Sequence, residues 1–237
     1  MLNHIHFNSI DSTSTYARNN CENASLPLLI TADSQFAGRG RRGNTFYSPD
    51  KTGLYMTLLF EADECFDLLT PGAAVCVCKI LEEDYGVFPK IKWVNDLFLN
   101  GKKVCGILTE RFVSGGKTLT AIGIGINLEA SAFPSDLPFA GSLNIECDKN
   151  ELAEKIGNSV LKINENYERN FILSEYKKRL STIGQYIGYT FDGKDYSGIA
   201  ADINDQCNLI VNNDDGTNSV LSSGEISIKV RKQNEQT

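Results

Sequence analysis

Residues 37–49 read AGRGRRGNTFYSP, setting Arg39, Arg41 and Arg42 among Gly38, Gly40 and Gly43, with no acidic residue from Ser34 to Pro49. Each guanidinium presents a planar fork of donors that fits a carboxylate or a phosphate. The glycines permit positive φ angles and a close approach of backbone to ligand. Three like charges in one loop repel each other unless an anion holds them. The expected chemistry is therefore anion binding by a loop that folds over its ligand. Two readings compete with it, a solvated turn and an RGG-type nucleic-acid segment. The second is disfavoured, because such segments depend on basic surroundings and this chain carries a formal net charge of -7.

A second stretch, KWVNDLFLNGKKVCGIL at residues 92–108, puts Trp93 beside Lys92, Asn95 and Asp96. An apolar face flanked by hydrogen-bonding groups is what pockets for mostly apolar ligands need. The Asn100-Gly101 pair signals a tight hairpin, which returns Lys102 and Lys103 toward Asp96 and Trp93. Taken singly, Trp93 would more often be a core residue and Lys103 a solvated one. In AIGIGINL, residues 121–128, Gly123 and Gly125 alternate with isoleucines and precede Asn127. One face of that strand is bare, so a flat ligand can lie against backbone. No GxGxxG opens a helix and no Walker A loop is present, so a nucleotide has to be held by another device.

The elements that position these residues follow from periodicity. Runs rich in β-formers at 4–10, 26–32, 53–61, 89–93, 96–100, 104–113 and 118–128 predict a sheet in the first half. Helices are expected at 12–20, capped by Asp11, Ser12 or Thr13, at 71–85, and after Asp148. In the last, Leu152, Ile156, Val160, Ile163 and Tyr167 form one apolar stripe, which marks a core-packing helix. From about Ile183 come the short runs YIGYTF, YSGIAADI, NLIVN, SVLSS and EISIKV, punctuated by Asp192-Gly193, Asn212-Asn213 and Asp215-Gly216. They predict a small barrel. The last residues, 231–237, are expected to fray.

With 237 residues, 41% hydrophobic and 22% charged, the chain can fold as one good core plus a small second unit. The acidic balance argues against general affinity for nucleic acid. Seven cysteines without regular spacing, and two histidines far from most of them, suggest neither a zinc site nor a disulfide framework. The start has no signal-peptide pattern and no run has membrane-span length, so a reduced, cytoplasmic protein is expected, with no membrane partner.

Taken in order and spacing, AGRGRRGNTFYSP, KWVNDLFLNGKKVCGIL, AIGIGINL and the late SGEISIK, preceded by DSTS, resemble the biotin protein ligases from about Ser9 to Lys229. The resemblance implies an α/β (α+β) fold. A mixed β-sheet backed by helices, the class II synthetase-like catalytic domain, would cover residues 1–182, and a small SH3-like β-barrel 183–237. It also implies an enzyme that joins biotin to ATP as biotinyl-5'-AMP and then biotinylates one lysine of a biotin carboxyl carrier domain, as in acetyl-CoA carboxylase. ATP would be a co-substrate with Mg²⁺, with no permanently bound cofactor, no metal ligands assigned and no nucleic-acid partner. A homodimer is compatible with it.

Residue by residue, the resemblance makes Arg41, Lys103 and Asp96 the catalytic groups. Ser12, Thr13, Gln35, Gly38, Arg39, Trp93 and Lys103 would hold biotin. Arg41, Arg42, Phe46 and Asn127 would hold the nucleotide. Relatives commonly have Asn where Ser14 stands, Arg and Trp at Asn44 and Phe46, and Pro at Val94. With DSTS starting by residue 11, the expectation is the monofunctional kind, without a DNA-binding domain. The nearest alternative is a lipoate-type protein ligase or transferase on the same fold; a non-catalytic biotin sensor or a nucleic-acid-binding regulator belongs to a different class.

Overall fold

The computed structural model describes residues 1–61, 66–129, 133–165, 168–222, 224 and 226–229. Tyr167 of the predicted helical stripe, Cys65, Ser223 and Glu225 of SGEISIK, and the tail 231–237 lie outside them. The first half holds β1 (Asn3–Ile10), α1 (Thr13–Asn20), β2 (Leu28–Gln35), β3 (Gly53–Glu61), α2 (Phe66–Tyr85), β4 (Lys90–Lys92), β5 (Asp96–Leu99), β6 (Lys102–Ser114) and β7 (Lys117–Asn127). These strands form a seven-stranded sheet in the order β1-β2-β3-β7-β6-β5-β4. Only β1 and β2 run parallel; every other neighbour is antiparallel.

Alternation along the strands sorts residues onto two faces. Leu54, Met56, Leu58 and Phe60 of β3 join Ile122, Ile124 and Ile126 of β7 in the main core. The intervening Leu59 and Ala121 join a smaller cluster under α1 with Ala17 and Ile30. Gly123 and Gly125 share that second face, which α1 only partly covers. Ser12 caps α1 by accepting from Thr15 N at 3.4 Å, the role its residue type predicts.

On the main-core face lie α2, α3 (Lys149–Glu165) and α4 (Arg169–Arg179). Asp148 caps α3 by accepting from the amides of Asn150 and Glu151. Leu152, Ile156 and Val160 are buried as the stripe predicts. Helix α2 begins at Phe66 rather than at Pro71, so the proline is inside it. A proline within a helix costs about 3 kcal/mol, but this longer helix buries Leu68 and Leu69 fully, and each such leucine returns about 1.5–3 kcal/mol. Helix α4 was not expected as a separate element.

The second sheet follows, with β8 (Tyr186–Phe191), β9 (Lys194–Ile203), β10 (Leu209–Asn213), β11 (Asn218–Leu221) and β12 (Ile226–Ile228) in the order β11-β10-β9-β8-β12. All its pairings are antiparallel. Asn212 and Asn213, read from sequence as a turn, instead end β10. Asn213 is buried and donates to Thr217 and Ser219 while accepting from Tyr189, so the strand satisfies its amide. The chain turns at 214–216 instead. Ile187, Ala200, Leu209 and Val211 belong to the same core as Trp93 and Leu97. The two sheets therefore share one apolar interior.

Arg179 is buried on α4 and bonds Glu82 of α2 and Glu175 of its own helix. Removing one member of a buried charge cluster strands the others. Arg179→Ala should lower unfolding stability by about 3 kcal/mol in denaturant titration, the low end for such sites because both carboxylates keep some solvent. The Arg179 hydrogen bond holds the Glu175 carboxyl below its ordinary value. That contribution is complete above the unfolded pKa and is lost as pH falls through the depressed folded one. The acid limb of the stability curve should accordingly flatten in the variant.

Candidate active site

The site begins as a gap in the sheet. Across β6 and β7 the register sets Gly106 opposite Gly125, two adjacent positions without side chains. The ring of Phe46 lies on them: a Cβ added at Gly125 would fall 2.4 Å from Phe46 Cε1, and one at Gly106 would fall 3.1 Å from Phe46 Cε2. Tyr55 meets the same ring edge-on at 6.4 Å between centroids. The bare strand face does receive a flat group, and that group is an aromatic ring of the Arg-Gly loop itself.

At one end of this floor is a polar clamp. Gln35 Oε1 accepts from Thr13 N at 2.9 Å and from Thr13 Oγ1 at 3.2 Å, while Gln35 Nε2 donates to Ser48 Oγ at 2.9 Å. Thr57 Oγ1 donates to Thr13 Oγ1 at 2.8 Å and lies 3.1 Å from Ser14 Oγ. Ser12, Thr13 and Ser14 are all buried, so a few oriented donors and acceptors face the cavity from fixed positions. Gly38 is required here, since a Cβ would stand 2.4 Å from Phe46 O. Its carbonyl accepts from Phe46 N at 2.9 Å and Gly40 N donates to Asn44 O at 2.8 Å, which folds residues 38–46 into a small hairpin.

The other end carries charge. Asn100 and Gly101 take the positive φ angles, 50° and 76°, of the predicted hairpin turn. Lys103 Nζ consequently lies 2.8 Å from Asp96 Oδ1. The ammonium approaches off the hydrogen-bonding direction, so the contact is an ion pair that leaves this buried oxygen without a hydrogen bond among the described residues. Arg41 Nη1 donates to Asn95 Oδ1 at 3.0 Å, and Asn95 in turn donates to Ile107 O. Trp93 borders the cavity but is only 4% exposed, its indole nitrogen donating to Cys207 O at 2.9 Å. It is a core residue and a pocket wall at once.

Ser12, Thr13, Gln35, Arg39, Arg41, Phe46, Trp93, Asp96 and Lys103 come together around one cavity, with Gly38 just behind it. Arg42 is exposed and outside the wall. Asn127 also stands apart, its amide donating to Gly141 O at 2.8 Å and tying the end of β7 to the following loop. The expectation that the clustered arginines wait for a ligand as counter-ion needs correction. Arg39 already has a carboxylate, donating to Glu110 Oε2 at 3.0 Å and Oε1 at 2.9 Å. Sequence reasoning did not single out Glu110, Ser48, Thr57 or the contribution of Gly224 and Ile226 to the wall, although Ser48, Gly224 and Ile226 stand inside stretches already singled out. Among the described residues, Asp96 is the only carboxylate on the wall and no group of three metal-ligating side chains occurs.

Gly125→Ala should expel Phe46 from the floor, because backbone holds the new methyl in place. Overpacking of this kind costs about 1–3 kcal/mol. The readout is faster hydrogen exchange at residues 38–46, with exchange in β3 unchanged.

Residues 6–127 match the Biotin/lipoate A/B protein ligase family, and residues 182–229 the Biotin protein ligase C terminal domain. Over 143 residues the chain is 36% identical to the bifunctional ligase/repressor BirA of Bacillus subtilis, an overlap of 58% of this chain and 43% of that protein. It is 35% identical over 125 residues to the Biotin--[acetyl-CoA-carboxylase] ligase of Paracoccus denitrificans, 50% of this chain and 51% of that one. The chain thus spans about half the length of these relatives or less. Its fold is similar to the biotin protein ligase from Aquifex aeolicus solved in complex with biotin and ATP, with TM-score 0.77, 24% identity, and coverage of 96% of this chain and 98% of that one. With a family match over half its length, and with the sheet order and the glycine-floored pocket described above, this chain belongs to the biotin/lipoate A/B protein ligase family.

Proposed function

We propose that this chain is an ATP-dependent biotin protein ligase acting on a carrier-domain lysine. The observation that carries the reading is one cavity with a neutral polar clamp, Thr13 and Gln35, at one end and cations, Lys103 and Arg41, at the other. A ligand with a neutral hydrogen-bonding head, an apolar middle and a terminal carboxylate matches that sequence of surfaces. Biotin has this form. The names of the Paracoccus and Aquifex relatives, and the match to a biotin-type C-terminal domain, favour biotin over lipoate.

In the first step a biotin carboxylate oxygen attacks the α-phosphorus of ATP. The bond to the pyrophosphate oxygen breaks, and biotinyl-5'-AMP forms. Lys103 and Arg41 stabilise the charge that builds on the transferring oxygens, and Phe46 offers a face against which the adenine stacks. Gly38 and Arg39 present backbone to the ureido ring beside Ser12, Thr13 and Gln35; Trp93 walls the apolar middle. Arg42 and Asn127 would meet the outer parts of the nucleotide. In the second step the ε-amine of the acceptor lysine attacks the acyl carbon, AMP leaves, and the amine sheds a proton. Asp96 holds Lys103 and offers that proton an acceptor. No protein nucleophile is required.

A magnesium ion that arrives on the nucleotide keeps mostly phosphate and water ligands, and Asp96 on the wall is a carboxylate that would meet it. Magnesium supplies charge neutralisation of the phosphates. The same reading takes 1–182 as catalytic unit and 183–237 as C-terminal unit, and the cytoplasm as the compartment. All six described cysteines are free, which supports a reducing environment, and no described helix is long and apolar enough to cross a membrane. A homodimer remains compatible with it.

Labelled biotin with Mg-ATP and a biotin carboxyl carrier protein should yield labelled carrier, AMP and pyrophosphate in equal amounts; label transferred from lipoate instead would overturn the assignment. Lys103→Ala should reduce the rate of pyrophosphate release by about two to three orders of magnitude, roughly 3–4 kcal/mol in the barrier, while biotin affinity by calorimetry changes little. Unchanged turnover would remove Lys103 from the mechanism.

A further inference from the structure

We propose that Glu110 is a positioning residue that latches the Arg-Gly hairpin to the sheet and to α1, and so keeps the activated intermediate in its pocket. The ligase reading supplies the intermediate; the latch itself rests on geometry. Glu110 stands on β6, on the same strand as Gly106, and both of its oxygens are engaged. Oε2 accepts from Arg39 Nη1, and Oε1 accepts from Arg39 Nη2 and from Arg18 Nη2, the last at 3.2 Å. Arg18 lies on α1, the helix whose start carries Ser12 and Thr13, and it is held over the Phe112 ring of β6 at 4.8 Å. One carboxylate thus joins the loop, the helix that carries the polar clamp, and the strand that carries the floor.

Exposed ion pairs usually contribute little. This one differs in two respects. The Glu110 side chain is only 15% exposed, against 39% for Arg39, and the Arg39 contact is bidentate, which fixes orientation as well as distance. The pairing also divides labour within the loop. Arg39 and Arg41 are two positions apart, yet Arg39 is committed to Glu110 while Arg41 bonds Asn95 on the cavity wall. Without Glu110, Arg18 and Arg39 would face each other as like charges, and Arg39 would be released to compete with Arg41 for the same phosphate. The hairpin would then lose its tie to the sheet on the side away from Asn95.

The test uses Glu110→Gln, Arg39→Gln and the double variant. In each, the first-order loss of preformed biotinyl-5'-AMP from the protein is followed after dilution into unlabelled biotin and ATP. Glu110→Gln should lose it about tenfold faster than the unaltered protein, the low end for a lost charge-assisted pair that is partly screened. Arg39→Gln should match it, and the double variant should be no leakier than either single one, because both remove the same contact. Glu110→Asp, which keeps the charge on a shorter arm, should recover part of the retention. Loss within twofold of the unaltered protein, or single effects that multiply in the double variant, would overturn the proposal. Hydrogen exchange at residues 38–46 needs no substrate and should quicken in both single variants. Faster exchange in a protein that makes no adenylate would keep the latch and sink the ligase reading; unchanged exchange with normal adenylate formation would do the reverse. If Glu110→Gln does not fold, Arg39→Gln carries both measurements from the exposed end of the pair.

Discussion

The pairing of Gly106 with Gly125 is the constraint on which the rest of the site depends. A sheet normally presents a side chain at every second position of each strand, and those side chains fill the space above it. Two glycines in direct cross-strand register remove that layer locally, and the backbone itself becomes a floor. The isoleucines on either side of Gly125 are committed to the opposite face and the main core. They hold the strand rigidly while adding nothing above the floor. A flat ring can rest there, and Phe46 does, which brings the Arg-Gly loop down onto the sheet.

Lowering that loop concentrates positive charge against the sheet, and the strands beneath supply the compensation. Arg39 meets Glu110 on β6, Arg41 meets Asn95 at the turn between β4 and β5, and Lys103 meets Asp96 on β5. These are unlike contacts. The first is a bidentate carboxylate pair, the second a neutral amide, the third an ion pair without hydrogen-bond geometry. An amide acceptor costs a cation much less to leave than a carboxylate does. Of these three contacts the bidentate pair at Arg39, which anchors the loop, is therefore the most firmly oriented.

What could be read in the sequence divides along the same line. Lys103 beside Asp96 was legible because a two-residue turn with its own chemical signature sets the distance between them. The strands and the capped helices were legible because alternation and cap residues are local signals, and the GIGIN glycines announced a bare face. Glu110 was not legible. In GILTER it looks like any polar residue on a half-exposed strand, and its partner is 71 residues away across a fold that no local pattern specifies. Thr57 was hidden for the same reason, its partners Thr13 and Ser14 lying on another element. Asn213 misled because asparagine pairs usually mark turns, and only the second sheet provides the partners that keep it in a strand.

The second sheet belongs to this arrangement physically, whatever its separate sequence texture suggests. Trp93, next to the site's Asn95 and Asp96, gives its indole hydrogen to Cys207 and receives a packed core from beneath. Thr182, at the approach to β8, accepts from the Trp93 amide at 2.9 Å, and Tyr176 of α4 donates to Val94 O at 2.9 Å. The backbone at Trp93 and Val94 is thus held by groups that come from later in the chain. Gly224 and Ile226 then close the cavity from the far side. Asn95 stands in the turn that leads into Asp96 and β5, and a shift of that turn would carry both side chains away from Arg41 and Lys103. The C-terminal part of the chain supplies further ties there, so the geometry of the candidate site is a property of both sheets together.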